Sequence, residues 1–535
     1  MYPSHLIKPG AGFSLVSLLA ILALAGNPAS PAFAAITQQT GNNFTAATLF
    51  TDASLVPPDS DGAIGPNYFV ELINGRFSVF DKISGAKVQT MTDLTFWNNA
   101  GITFPSGTTA SDPRIIYDPL SGRWFATQID FIPSNQFSNR FLLAISASAD
   151  PTGSWNGLAW LADPGGTFAD FPRLGIDARG VYLTGNQFNQ AGNFVGTLIT
   201  SIPKADLLLA TPTATNRTTS GLIPNLADGF SLQPIVNFNG TNDAEVVIAT
   251  ENDGTDFIAH SNLISFKVQN ADTSAATFST PTNIPVPGYS VPIDPYQPDG
   301  QKDLDDGDVR IGSYVFQLGD VIYAVHGIEI GPRAALRWYR LRASDQTLLE
   351  AGTISDTNLD LFYPSIAANT NGFVVIAFNG SSTNTFVSSF AVAGRTINGT
   401  TVFGPTTLLA SGTANYELNV GDVRWGDYST TTVDWSQPDH FWTIQEIPLA
   451  PNRWSTQVTE MIVAETPPVL KIVRTGNTAQ LSWSTNDIGF TLQSGTNLAP
   501  TIVWSDVTNA VFVLGNQNTV SVTTSNAAQF FRLMR

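Results

Sequence analysis

The sequence predicts an all-β fold, and three observations carry that prediction. Gly (44), Pro (33) and Phe (34) are abundant and only 13% of the residues are charged, so the long-chain helix formers are scarce. Apolar and polar residues alternate over short runs bounded by Gly, Asn and Asp turns, the pattern of antiparallel strands. One strand–turn–strand phrase recurs at a spacing of about 60 residues, which predicts a repeat architecture.

The chain opens with a leader. Phe13 to Ala25 is an uninterrupted run of apolar and small residues, suited to a signal-peptide core and too short to span a bilayer. Pro28 and Pro31 follow, and Ala32-Phe33-Ala34 reads as a cleavage site. Residues 1–34 are therefore expected to be removed before Ala35, delivering the mature chain to the periplasm, the cell surface or the medium. No later run is long enough to cross a membrane.

The repeat comes next. Asp112-Pro-Arg-Ile-Ile-Tyr-Asp turns at Ser121-Gly122 into Arg123-Trp-Phe-Ala-Thr-Gln. Asp170-Phe-Pro-Arg-Leu-Gly-Ile-Asp turns at Arg179-Gly180, Asp308-Val-Arg-Ile-Gly-Ser-Tyr at Gly319, and Tyr363-Pro-Ser-Ile-Ala-Ala at Asn371-Gly372. Asp422-Val-Arg-Trp-Gly-Asp-Tyr leads, by a longer turn, to His440-Phe-Trp-Thr-Ile. Weaker copies begin at Asp61 and Gln233. A unit of this length holds four strands, the size of a propeller blade. Seven copies predict a seven-bladed β-propeller over 35–465, with six blades as the alternative. Only two strands follow the last inner one, so Asn43–Phe50 is expected to supply the missing outer strand and close the ring. Thr466-Pro467-Pro468 reads as a linker. Residues 469–535 carry six short strands and are expected to form a small immunoglobulin- or fibronectin-like β-sandwich.

The blade phrases resemble a family. Asp61-Gly-Ala-Ile-Gly-Pro-Asn, Asp112-Pro-Arg, Asp150-Pro-Thr-Gly-Ser-Trp, Asp170-Phe-Pro-Arg and Arg424-Trp-Gly-Asp-Tyr-Ser look like those of large secreted bacterial β-propeller proteins without characterised activity. The resemblance implies the fold and export and transfers no chemistry. It is broadly similar to sialidase-type propellers as well, although their Ser-x-Asp-x-Gly-x-x-Trp box is absent in strict form. Phe490-Thr-Leu-Gln-Ser and Phe530-Phe-Arg-Leu resemble C-terminal modules of exported bacterial proteins.

Composition excludes several functions. A net charge of −18 is opposed to nucleic-acid binding, where Lys and Arg neutralise phosphates. No cysteine is present, so disulfides, thiolate chemistry and Cys-based metal sites are absent. Only four His occur, and no phosphate loop or nucleophile elbow is found.

The residues that could carry chemistry are acid–arginine pairs at the starts of inner strands: Asp112/Arg114, Asp170/Arg173, Asp308/Arg310 and Asp422/Arg424. Inner strands line the axis of a propeller, so these pairs could ring one mouth. Arg114, Arg173, Arg310 and Arg424 would then bind a ligand, with Trp425 the best-placed ring. Asp112, Asp170, Asp308 and Asp427 are the candidates for acid, base or nucleophile in glycoside cleavage. The structural alternative is that the pairs link neighbouring blades. Asp303, Asp305, Asp306 and Asp308 cluster around Gly307 as hard oxygen ligands would for Ca²⁺, the one cofactor expectation, with a solvated acidic loop as the alternative. Two functions follow: an extracellular module that binds a glycan or a protein, or a glycan hydrolase or lyase working from the rim carboxylates.

Overall fold

The computed structural model describes residues 36–240, 244–252, 258–298, 304–418, 423–466, 468–485, 487, 489–496, 503–524 and 528–534. The expected leader, Asp303, Asp422 and Pro467 of the expected linker lie outside the described residues. The protein is all-β. Among the described residues, helix is confined to Asp93–Asn99, Lys204–Leu207 and the single turn Leu226–Asp228. None of these helices is long and apolar enough to cross a membrane.

Among the described residues, the strands from Ile36 to Glu465 sort by pairing into six sheets, three of four strands, two of five and one of nine in which two antiparallel groups are joined. The innermost strands are Asp61–Ile64, Thr109–Asp118, Phe168–Ile176, Phe230–Pro234, Phe316–Leu318, Asp360–Ala368 and Thr430–Val433. They follow one another around an axis, and Thr430–Val433 returns to lie beside Asp61–Ile64. The arrangement is a β-propeller. Ile36–Thr48 closes it, pairing antiparallel with Arg453–Glu465 from Ile36 opposite Glu465 to Thr48 opposite Ser455. The sequence expected this closure from within 43–50. Pairing the two ends covers the edge of Arg453–Glu465 and ties the ring shut.

Neighbouring groups pack face to face through the alternating residues of their strands. Leu72, Val79, Trp97, Trp124 and Leu142 fill the space between the first two groups. Each large apolar side chain buried in this way contributes roughly 1.5–3 kcal/mol.

Two expected inner strands are not strands. Regular pairing starts only at Phe316 and Thr430, after the stretches 308–315 and 423–429. Side chains take their backbone groups instead. Arg173 donates to the carbonyls of Ile311 and Gly312, and Arg114 also donates to Gly312. The Gly426 N–H goes to Glu446 and the Asp427 N–H to Asp59. A ladder cannot form where side chains hold its donors and acceptors. The stretch after Gln233 also divides. Pro234 has no N–H to donate, and Val236–Asn237 pairs in parallel with Ile176 on one side and with Phe316 and Gln317 on the other, joining two groups into one sheet.

Residues beyond 468 build two small sheets. One holds Lys471–Thr475, Thr478–Ser484, Gln517–Thr523 and Phe512–Leu514 in that spatial order, and the other holds Ser505–Asp506, Thr491–Gly495 and Phe530–Met534. Leu481, Trp483, Leu492 and Val520 form their common core. The strand Phe512–Leu514 was not expected from the sequence.

Candidate functional site

A repeated backbone device builds the site. Asp112, Phe171, Ser231 and Tyr363 adopt positive φ of 58°, 55°, 55° and 43°. At each, the register slips against the next strand, between Ser111 and Arg114, Asp170 and Arg173, Phe230 and Gln233, and Phe362 and Ser365. These are β-bulges, and a proline follows three of them (Pro113, Pro172, Pro364). Proline offers no N–H to the ladder, which skips at that point. Asp59, with φ of 49°, stands in the same relation to Asp61 as Asp112 to Arg114. The bulge separates two sets of side chains. Those before or at it reach the mouth of the ring; those after it turn to the axis.

The axis is filled. Arg114 and Arg173 are fully buried, and both donate to the Gly312 carbonyl, at 3.2 and 2.7 Å. The Arg114 guanidinium lies 3.4 Å from the centre of the Tyr428 ring, and that of Arg173 4.1 Å from Phe171. Asp61 stands 3.7 Å from Arg114 and accepts from Tyr314 and Thr430 at 3.0 and 2.7 Å. Burial pushes its carboxyl up to about 6 against the pull of Arg114. Arg114 and Arg173 are therefore props of the axis and do not face solvent, a correction to their expected ligand role. Trp425 is corrected likewise: it is 1% exposed, stacks edge-on against Tyr416 and donates to Asn379.

Above the axis opens a cavity of about 570 Å³. Asp59, Asp112, Asp170 and Asp427 line it together with Arg310 and Arg424. Asp59 accepts from Asn74 and from the Asp427 N–H at 2.8 and 3.0 Å. Asp112 accepts from Ser111 at 2.7 Å and from the Phe171 N–H at 3.0 Å, stitching its group to the next. Burial, reinforced by the charges of Asp427 and Asp112, holds the Asp59 carboxyl well above the usual range, and burial with the Asp427 charge also raises Asp112. Asp170 is half-buried and forms no ion pair among the described residues. Burial, Asp112 and Asp427 push its carboxyl up to about 7, with Arg310 opposing them.

Both arginines of the mouth are committed. The Arg310 Nε donates to the two oxygens of Asp308 at 2.8 Å, its Nη2 lies 2.7 Å from Asp308, and its plane covers Phe171 at 4.3 Å. Arg424, 41% exposed, holds Asp427 at 2.8 Å and stands 3.7 Å from Asp305. Behind Asp427, the buried Glu446 accepts from the Gly426 N–H at 2.9 Å, and burial raises its carboxyl well above the usual range. A Cβ at residue 426 would lie 2.7 Å from that carboxylate, so a larger residue there would push the Glu446 side chain aside.

Five sequence-predicted residues thus meet in one cavity: Asp112, Asp170, Asp427, Arg310 and Arg424. Asp308 lies one step back as the partner of Arg310. Asp59, which the sequence marks only as part of the acidic Asp59-Ser-Asp61-Gly62 phrase, joins them at the mouth; its spacing before Asp61, matching Asp112 before Arg114, is the signal that places it. The described carboxyls of the acidic loop each have their own engagement. Asp305 accepts from the Gly307 N–H at 2.8 Å, Asp306 is buried with one oxygen lacking a hydrogen-bond partner, and Asp308 serves Arg310. Among the described residues no three His, Cys, Asp or Glu side chains are grouped as a metal site.

No family model matches the chain, and no curated protein does. Among solved structures the chain is similar to Drosophila Plexin A in complex with Semaphorin 1b (7% identity, TM-score 0.38, covering 79% of this chain and 88% of that one). It is also similar to the α-L-arabinofuranosidase of Fusarium graminearum (10%, TM-score 0.37, 78% and 98%) and to Trypanosoma rangeli sialidase (10%, TM-score 0.33, 79% and 83%).

Proposed function

We propose that the chain is an exported binding protein, a seven-bladed propeller whose mouth takes a neutral, hydroxyl-rich ligand of the glycan class. The observation that carries this reading is the gathering of Asp59, Asp112, Asp170 and Asp427 around one cavity whose two arginines are already paired. Paired arginines have little charge left for an anion. Asp59, Asp112 and Asp170, driven toward protonation, donate and accept at once, which suits hydroxyl groups. The leader supports export, and the C-terminal sheets read as an accessory module.

A second reading has its own observation. A carboxyl held at about 7 beside other carboxyls is poised as a general acid near neutral pH, so Asp170 could protonate a glycosidic oxygen while Asp427 or Asp112 acts on the opposite face.

The test is a glycan array on the mature protein, calorimetry on the best hit, and a reducing-end assay on the same glycan. Binding without turnover, weakened at least roughly tenfold in Asp170→Asn, upholds the first reading. Turnover abolished in Asp170→Asn moves the assignment to the hydrolase. No binding to any glycan overturns both.

A further inference from the structure

The two edges of the larger C-terminal sheet are built differently. One edge, Lys471–Thr475, exposes Ile472 and Val473 but flanks them with Lys471 and Arg474. Charges on an edge strand repel the approach of another strand, and this is how sheets are kept from pairing end to end. The opposite edge, Phe512–Leu514, has no such guard. Val511, Phe512, Val513 and Leu514 are 53%, 65%, 63% and 60% exposed, so side chains on both faces of the strand are uncovered. Among the described residues this strand pairs only with Gln517–Thr523. From Val507 to Phe531 the chain carries no charged side chain at all.

We propose that this edge pairs with the same edge of a second copy, antiparallel about a two-fold axis through Val513. The strand is self-complementary in that register. Val513 faces Val513 of the second copy, and each Phe512 faces a Leu514, the aromatic–aliphatic cross-strand pairs that stabilise sheets. No like charges meet, because the surrounding stretch has none. The contact is isologous, so it closes at two copies and does not propagate, while the charged opposite edge prevents growth in the other direction. Even full coverage of the four side chains on both copies would bury only about 900 Å², below the roughly 1,200–2,000 Å² of a stable complex. The dimer is therefore weak and concentration-dependent.

Sedimentation of the full mature chain over a wide concentration range tests this. The expected result is a reversible dimer that Val513→Lys abolishes and Val473→Lys, at the guarded edge, leaves intact; melting curves show that both variants are folded. The absence of cysteine allows a second measurement, since Val513→Cys introduces the only thiol. Directly opposed residues in an antiparallel pair have Cα atoms about 4.5–5.5 Å apart, within the disulfide range of about 4.4–6.8 Å. Under mild oxidant, Val513→Cys should form a covalent dimer much faster than Val473→Cys. A monomer at every concentration, equal cross-linking of the two variants, or a dimer that survives Val513→Lys would overturn the proposal.

Discussion

Asp170→Asn should stabilise the protein at neutral pH and leave it unchanged in acid. The unfolded carboxyl has the ordinary value of 3.8, whereas burial and the Asp112 and Asp427 charges push the folded one up to about 7. Below pH about 4 both states hold the proton and Asp170 costs nothing. Between about 4 and 7 the unfolded chain releases it while the folded chain retains it, so stability falls as pH rises. Above 7 the loss is complete. At ~1.4 kcal/mol per pH decade the full gap corresponds to about 4 kcal/mol. The repulsion between Asp170 and Asp112 is part of this shift and is relieved with it, but solvent screening of the half-buried carboxyl reduces the whole to roughly half, about 2 kcal/mol. Asparagine has nearly the shape of the protonated acid and remains neutral at every pH. Urea unfolding of wild type and variant at pH 4, 6 and 8 reads the difference directly. A variant less stable than wild type at pH 8 would show that Asp170 is ionised in the folded state with a partner of its own, and a gain equal at pH 4 and 8 would show that its carboxyl is not raised.

Three further outcomes follow from the same geometry. Arg114→Met removes a fully buried guanidinium and strands Asp61, and should cost about 3–5 kcal/mol in denaturant titration, whereas the 41%-exposed Arg424 should lose no more than about 1 kcal/mol on replacement by Ala. Trp425→Ala should destabilise by about 3–5 kcal/mol while the glycan affinity of the folded protein is unchanged; an affinity loss at constant stability would return Trp425 to the site. Deleting 36–48 removes the closing strand, exposes the edge Arg453–Glu465, and should give a non-cooperative, aggregating chain on size exclusion that the missing segment restores when added as a peptide.

Much of the fold was legible because its signals are local. The strand pairs at Asp112 and Arg123, Asp170 and Val181, and Tyr363 and Phe373 announce themselves by alternation and by Gly turns such as Ser121-Gly122 and Asn371-Gly372. Where the reading failed, a distant side chain had intervened. The stretch 308–313 has strand periodicity, and its Val309, Ile311 and Ser313 are buried as such a strand would bury them. Its carbonyls nevertheless go to Arg114 and Arg173, almost 200 residues earlier in the chain for Arg114. The prolines after Asp112, Phe171 and Tyr363 were visible in the sequence, and proline inside a strand is a bulge signal.

The sequence by itself determined the all-β class, the repeat, the closing of the ring by its two ends and the residue types that gather at the mouth. These depend on side-chain alternation and turn chemistry, which act over a few residues. The tertiary structure alone decided which of the repeated acids and arginines line the mouth cavity and which hold the axis. Asp112 and Arg114 are two residues apart, yet the bulge between them sends one to the mouth and buries the other. Asp59 and Asp427 are 368 residues apart, yet ring closure brings the carboxylate of one within 3.0 Å of the backbone N–H of the other. No local pattern encodes that meeting, because it exists only once every intervening strand has paired.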